Sequence, residues 1–354
     1  STLDRSSAAS DVYKRQRLIM YLSNLLKSSI LILMLSGCQN VQTNSKVIAT
    51  AFDTSTHFQR IFLDHFAPEN VLVTANVTYQ NDPQLSLDIY QSQDIQQLGK
   101  RPTIVWIHGG GWVSGAKDKA RGYFKLLAAQ GYNVVSVQYT FAPEAMYPTQ
   151  LHEINNALEF LSQHSKQYNI DANQLFLAGD SAGANLASHY AALLSNPTFA
   201  QQSEFSAKIQ ANQLKGLILH CGIYDMNAFV NTAPDEMKLI EWGVNTLVQA
   251  YTGNQKDNAD YLKRISPAQH LTLQYPPVFI SGGNKDFLTD TQSMPFVKAL
   301  QEKKIPVEAV FYPNSKEWLV HEYQFFLINK ASRQTFDKTI QFIEQYRQTQ
   351  EDIS

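Results

Sequence analysis

Cysteine is scarce in this sequence. Among 354 residues only two cysteines occur, Cys38 and Cys221, and two thiols form at most one disulfide bond. The chain is therefore not a small domain held together by disulfides. Neither sign of charge dominates, because 29 Lys and Arg residues face 31 Asp and Glu residues, with no dense basic cluster. This balance argues against nucleic acid as a partner.

Signals for metals and nucleotide cofactors are also missing. No phosphate-binding loop or dinucleotide fingerprint occurs, and four histidines show no metal-ligand spacing: His152, His189, His220 and His270. We therefore expect no metal and no cofactor, and we interpret these histidines as structural residues.

Apolar residues, in contrast, are plentiful. The chain is 44% hydrophobic and 11% aromatic, which is enough for one sizeable core and excludes a disordered protein. Strand-like and helix-like segments alternate, which predicts an α/β fold with a mostly parallel, doubly wound sheet and helices on both faces. Segments 71–79 and 85–90 predict an antiparallel start to this sheet. A partly helical insertion at about 226–262 is expected to be a cap or a packed surface excursion.

The first residues are interpreted as targeting sequence. Residues 1–19 resemble translated adapter sequence and are expected to be a non-native leader. Residues 20–38 contain a short apolar run and end in Leu-Ser-Gly-Cys, which resembles the lipobox of bacterial lipoproteins. We expect Cys38 to carry lipid at the bacterial cell envelope and residues 39–56 to form a polar tether. The alternative is an ordinary signal peptide and a secreted or periplasmic protein.

A serine between two glycines follows the apolar run at residues 175–178. The order Gly-Asp-Ser-Ala-Gly at 179–183 matches the strand-turn-helix pattern of a nucleophile elbow. Gly179 and Gly183 lack the Cβ atoms that would collide with neighbouring elements in such a tight turn. Ser181 is therefore the candidate nucleophile.

A second glycine-rich segment follows the apolar run at residues 103–107. It reads His-Gly-Gly-Gly at 108–111, and consecutive glycines free backbone N–H groups to point at a ligand, as an oxyanion hole requires. We expect the N–H groups of Gly110 and Gly111 to be such donors; the alternative is a plain glycine-rich turn. Trp112 is expected either to line an acyl pocket or to pack in the core.

Together these motifs resemble the hormone-sensitive-lipase-like carboxylesterases of the α/β-hydrolase superfamily. The resemblance covers nearly all of residues 70–347 and rests on the two glycine motifs, on Tyr-Thr-Phe-Ala-Pro-Glu at 139–144, and on Asp286 preceding His321. It implies an α/β-hydrolase catalytic domain over 57–350 that cleaves small-molecule carboxylic esters, either short-chain esters or aryl and acetyl esters, through an acyl-enzyme. The run Gly-Ile-Tyr-Asp at 222–225 is also similar to kynurenine-formamidase-like members.

A serine nucleophile needs a base, and the base needs an acid that orients it. In this fold the chain order is Ser, acid, His, and His321 is the only histidine beyond the strand predicted at 277–280. Asp286, just after that strand, is preferred as the acid over Asp290. The N–H of Ala182, which follows the nucleophile, is expected to complete the oxyanion hole.

Four further residues are expected to be structural. His108 is interpreted as a residue that fixes its loop, and Asp180 and Glu144 as residues that orient loops by hydrogen bonding. Cys221 is expected to be buried as an apolar residue.

Two other functions remain open on the sequence alone. One is an amidase of the kynurenine-formamidase type, and the other is a non-catalytic binding protein with the hydrolase fold. The acyl preference depends on the depth of a pocket whose walls the sequence does not place.

Overall fold

The computed structural model describes residues 40–95, 97, 100–231 and 238–347. The expected leader at 1–19 and signal peptide at 20–38, which ends at Cys38, lie outside these described residues. Within them, no helix combines the length and the apolar character needed to cross a membrane.

Eight strands form one sheet. In chain order they are β1 Val71–Thr78, β2 Ser86–Ser92, β3 Thr103–Ile107, β4 Asn133–Val137, β5 Leu175–Asp180, β6 Leu214–His220, β7 Val278–Gly282 and β8 Val307–Phe311. Their spatial order is β1-β2-β4-β3-β5-β6-β7-β8. β2 runs antiparallel to both β1 and β4, and the other neighbouring pairs are parallel. The predicted sheet, mostly parallel with an antiparallel start, is confirmed.

Helices cover both faces of this sheet. They are α1 Val41–Asp64, α2 Arg121–Ala129, α3 Thr149–Gln163, α4 Ala182–Ser195, α5 Pro197–Gln202, α6 Met226–Asn231, α7 Lys238–Thr252, α8 Ala259–Arg264, α9 Met294–Glu302 and α10 Lys330–Tyr346. Leu63 of α1, Phe124 of α2 and Phe342 of α10 belong to the core on one face. Leu158 of α3 and Leu186 of α4 belong to the core on the other.

The central strands β3 and β5 bring the two glycine motifs together. Every residue of both strands is buried, as expected of strands with helices on each side. They are parallel neighbours in which Ile107 pairs with Gly179. Both strands therefore end at the same edge of the sheet, and the loops that follow them start side by side.

The N-terminal helix corrects the expected polar tether at 39–56. These residues are helical from Val41 onward, and Asn40 caps the helix by accepting a hydrogen bond from the N–H of Gln42 at 2.9 Å. Ile48 is buried, and α1 packs against α7. The helix α7, which is distant in sequence, thus supplies the apolar surface on which residues 41–56 pack as a helix.

The described residues of the insertion at 226–262 include α6, α7 and the start of α8. Both α7 and α1 contribute side chains to the cavity beside Ser181. The insertion therefore borders the candidate site, as a cap would.

Candidate active site

Ser181 stands on a strained turn between β5 and α4. Its backbone has φ 52° and ψ −120°, a conformation that residues with a side chain rarely adopt. Gly183 makes the turn possible, because a Cβ atom there would overlap the carbonyl oxygen of Ile107. The N–H of Ser181 donates to the carbonyl oxygen of His220 at 2.9 Å. The backbone of two neighbouring strands thus holds the serine in place.

Asp180 ties this turn to the glycine loop after β3. One carboxylate oxygen accepts the N–H of Gly109 at 2.8 Å, and the other accepts the indole N–H of Trp106 at 2.7 Å. Burial, together with the neighbouring carboxylate of Glu322, raises the pKa of Asp180 well above its usual range. These bonds fix the distance between the two loops, which is the orienting role expected for Asp180.

Three backbone N–H groups in these loops lack an acceptor. Those of Gly110, Gly111 and Ala182 make no hydrogen bond within the described part of the chain. The glycines have φ angles of +112° and +60°, so the loop turns back and the Gly110 carbonyl accepts the N–H groups of Val113 and Ser114, each at 3.1 Å. Unpaired N–H groups beside a serine are the donors that a developing oxyanion needs.

His108 holds the same loop through a hydrogen bond and a ring stack. Its Nδ1 lies 2.8 Å from the carbonyl oxygen of Gly109, and its ring stacks on that of Tyr139 with 4.4 Å between centroids. Burial lowers the pKa of His108 to about 4. The ring is therefore neutral at physiological pH and packed in the loop, as expected of a structural residue.

Asp286 and His321 follow β7 and β8, at the same edge of the sheet as Ser181. The Nδ1 of His321 lies 2.8 Å from the Oδ2 of Asp286, while the other carboxylate oxygen accepts the N–H of Leu288 at 3.0 Å. Asp286 is buried, whereas the alternative acid, Asp290, is exposed on the helical turn that follows. Of the two acids predicted from the sequence, Asp286 is the one that contacts His321.

The charge state of His321 depends on its neighbours. Burial lowers its pKa, but Cys221 and Asp286 raise it, and the result lies well above 6.5. Burial also raises the pKa of the Cys221 thiol to about 11, so the thiol is uncharged near neutral pH. The carboxylate of Asp286 is therefore the anion that stabilises a protonated His321.

Ser181 and His321 line one cavity of about 520 Å³ whose walls are mostly apolar. No hydrogen bond joins the two side chains in the described chain. Catalytic hydrogen bonds are often long without substrate and tighten when it binds. The arrangement brings a serine, unpaired N–H groups and a histidine-carboxylate pair to one apolar cavity.

Trp112 both lines the cavity beside Ser181 and is buried in the core. It lines the cavity, and its fully buried ring stacks on Tyr251 with 4.5 Å between centroids. Phe52 of α1 and Leu247 of α7 also line this cavity. Sequence reasoning missed Phe52 because it falls within the segment interpreted as a tether.

Glu144 does not orient its turn as expected, because it is exposed. Glu153 does so instead: its carboxylate accepts the N–H of Thr140 at 2.8 Å and the Thr140 hydroxyl at 2.6 Å. Burial raises the pKa of Glu153. Glu153 lies among the buried residues of α3, next to Ile154.

Cys221 is buried, as expected, but it also adjoins the candidate acid and base. Potential ligand atoms of Cys221, Asp286 and His321 lie within 4.8 Å of one another, the one such group of three among the described residues. The hydrogen bond between Asp286 and His321 already occupies one of these potential ligand atoms on each residue. The geometry is thus that of a hydrogen-bonded pair with a thiol beside it.

A family model described as BD-FAE matches residues 87–300. The chain belongs to the BD-FAE family. The resemblance to hormone-sensitive-lipase-like carboxylesterases is confirmed with it. This BD-FAE protein is 28% identical over 226 residues to the probable carboxylic ester hydrolase LipM of Mycobacterium tuberculosis, a match that covers 62% of this chain and 50% of that relative. The chain thus spans about half the length of this curated relative.

Solved esterases share the fold of the BD-FAE protein. Esterase B from Lactobacillus rhamnosis superposes with a TM-score of 0.74 at 21% identity, over 86% of this chain and 96% of that one. A bacterial heroin esterase gives a TM-score of 0.66 at 18% identity, over 90% of this chain and 97% of that one. The expected α/β-hydrolase fold is confirmed.

Proposed function

We propose that this BD-FAE protein is a carboxylesterase with Ser181 as nucleophile, His321 as general base and Asp286 as the acid that orients the base. The observation that carries the proposal is the set of unpaired N–H groups of Gly110, Gly111 and Ala182 beside a strained serine. Hydrogen-bond donors without a partner are costly unless a ligand uses them. An anionic oxygen formed on a substrate carbonyl is such a ligand.

The reaction follows two acyl transfers. The Oγ of Ser181 attacks the ester carbonyl while His321 removes the proton of the serine hydroxyl. The carbonyl oxygen becomes an oxyanion that accepts hydrogen bonds from the three N–H groups. The bond to the alcohol oxygen then breaks, and His321 donates the proton to the leaving alcohol. Water attacks the acyl-enzyme by the same route, which releases the carboxylic acid and restores the Ser181 hydroxyl. Asp286 holds the His321 ring and stabilises its protonated form.

A fluorophosphonate probe tests this proposal directly, because it reacts with activated serines. We expect the probe to label the folded protein once, with the modified peptide containing Ser181, and to abolish hydrolysis of p-nitrophenyl acetate in proportion to labelling. Heat-unfolded protein is the control and should remain unlabelled. A folded protein that neither reacts nor hydrolyses esters would support the binding-protein alternative.

The same preparation separates an esterase from an amidase. Both chemistries would use the same residues, but they differ in the leaving group. We expect turnover of short acyl esters to exceed that of N-formylkynurenine, because the cavity wall is mostly apolar. The opposite ranking would make the amidase the better assignment.

We also propose that Cys38 anchors the protein to the bacterial cell envelope through lipid. The support is the Leu-Ser-Gly-Cys sequence at 35–38 behind an apolar run, and α1 begins three residues later at Val41. A clickable fatty acid fed to expressing bacteria should label the wild type but not Cys38→Ser, which should leave the membrane fraction. Equal fractionation of the two proteins would contradict the anchor.

A further inference from the structure

A glycine interrupts the apolar face that α7 presents to the cavity. Leu239, Gly243 and Leu247 are spaced four residues apart, so they lie on one side of the helix. All three line the cavity. The wall therefore has a gap of one side chain between two leucines.

Nothing in the fold requires a glycine at position 243. Its backbone does not have a positive φ, and an added Cβ atom would have no neighbour within 4 Å. In contrast, a Cβ atom on Gly111 would lie 2.7 Å from Leu247. Glycine inside a helix is less stable than alanine. Gly243 thus lowers the stability of the helix, although packing does not require a glycine at this position.

The gap lies close to the loop that carries the proposed oxyanion donors. In the proposed mechanism His321 protonates the leaving alcohol, so the alcohol must extend toward His321. The carbonyl oxygen points at the N–H groups of the oxyanion loop, and the acyl group extends in the remaining direction, away from His321. Gly111 of that loop adjoins Leu247, which is one helical turn from Gly243.

We propose that Gly243 determines acyl specificity, its missing side chain making room for an apolar acyl group larger than acetyl. The inference rests on the proposed esterase function. The cavity of about 520 Å³ is within the range of sites that bury a ligand of drug size, and acetyl would leave most of it empty. The substrate class is therefore an ester of a medium-chain or aryl carboxylic acid.

Two substitutions at this position test the proposal. Gly243→Leu should lower kcat/KM for p-nitrophenyl octanoate relative to p-nitrophenyl acetate by about 100-fold. Gly243→Ala should lower the same ratio less and raise the thermal midpoint by about 1–3 °C, because it improves helix propensity. Asn245→Leu, on the same helix but outside the cavity lining, is the control and should not change the ratio.

The outcomes separate this inference from the esterase proposal. If wild type hydrolyses both esters and Gly243→Leu keeps the wild-type ratio, the specificity role is wrong and the esterase proposal stands. A Gly243→Leu effect that follows alcohol size at a fixed acetyl group, and not acyl size, also overturns the acyl assignment. A wild-type protein without ester turnover or fluorophosphonate labelling would overturn both proposals.

Discussion

Replacing Ser181 by alanine is expected to lower kcat/KM for ester substrates by about 10⁴-fold or more. Alanine has no oxygen to attack the carbonyl, and the remaining N–H groups can only polarise it for attack by water. The fold should be retained, because the Ser181 side chain does not cap α4. Initial rates with p-nitrophenyl acetate and far-UV circular dichroism measure the two expectations.

Ser181→Gly is the matched variant that separates catalysis from backbone strain. It should be as inactive as Ser181→Ala, but glycine adopts φ 52° and ψ −120° without the penalty of about 1–3 kcal/mol that a Cβ atom adds. Greater flexibility of glycine in the unfolded chain offsets part of this gain. We therefore expect denaturant unfolding to show Ser181→Gly about 1 kcal/mol more stable than Ser181→Ala.

Two results would contradict this account. Ester turnover that survives in Ser181→Ala at the wild-type rate would require a different nucleophile. Equal stability of the alanine and glycine variants would mean that the turn at the end of β5 is not strained by the side chain, even if the serine is catalytic.

The centre of the fold and the elbow could be predicted because local sequence determines them. β3 and β5 are covered on both faces, so each reads as a continuous apolar run ending in glycines. Parallel pairing then aligns Ile107 with Gly179, which brings the two loops together. The sequence also predicted the histidine and the acid. His321 is the only histidine after the strand predicted at 277–280, and Asp286 lies just after that strand.

The walls of the cavity could not be predicted, because they depend on contacts between segments distant in sequence. α1 contains many polar residues, and its helical state becomes understandable only when it packs against α7. Likewise, Glu144 matched a motif but is exposed, and the buried carboxylate that holds the turn comes from Glu153 on α3. Motif spacing predicted the groups that we propose to react, whereas tertiary packing decides what fits beside them.

Asp286→Asn is expected to lower kcat for ester hydrolysis by about 10³–10⁴-fold. An amide in place of the carboxylate can no longer stabilise a protonated His321, and it favours the wrong tautomer of the ring by offering a donor to Nδ1. Asp290→Asn is the matched control. Asp290 is exposed on the next helical turn, so its replacement should change kcat by less than about twofold. A comparable loss in Asp290→Asn would move the acid assignment to that residue.

The pH dependence gives a second and independent readout of the same pair. The base must be neutral to accept a proton, so activity is lost as pH falls through the pKa of His321 in the free enzyme. That pKa is raised well above 6.5, and the acidic limb of kcat/KM should therefore lie above pH 6.5 in the wild type. In Asp286→Asn the carboxylate that raises the pKa of His321 is gone, whereas the burial that lowers this pKa and the Cys221 thiol that raises it both remain. The residual activity should then persist to lower pH, and a limb that stays in place would show that Asp286 does not control the charge of His321.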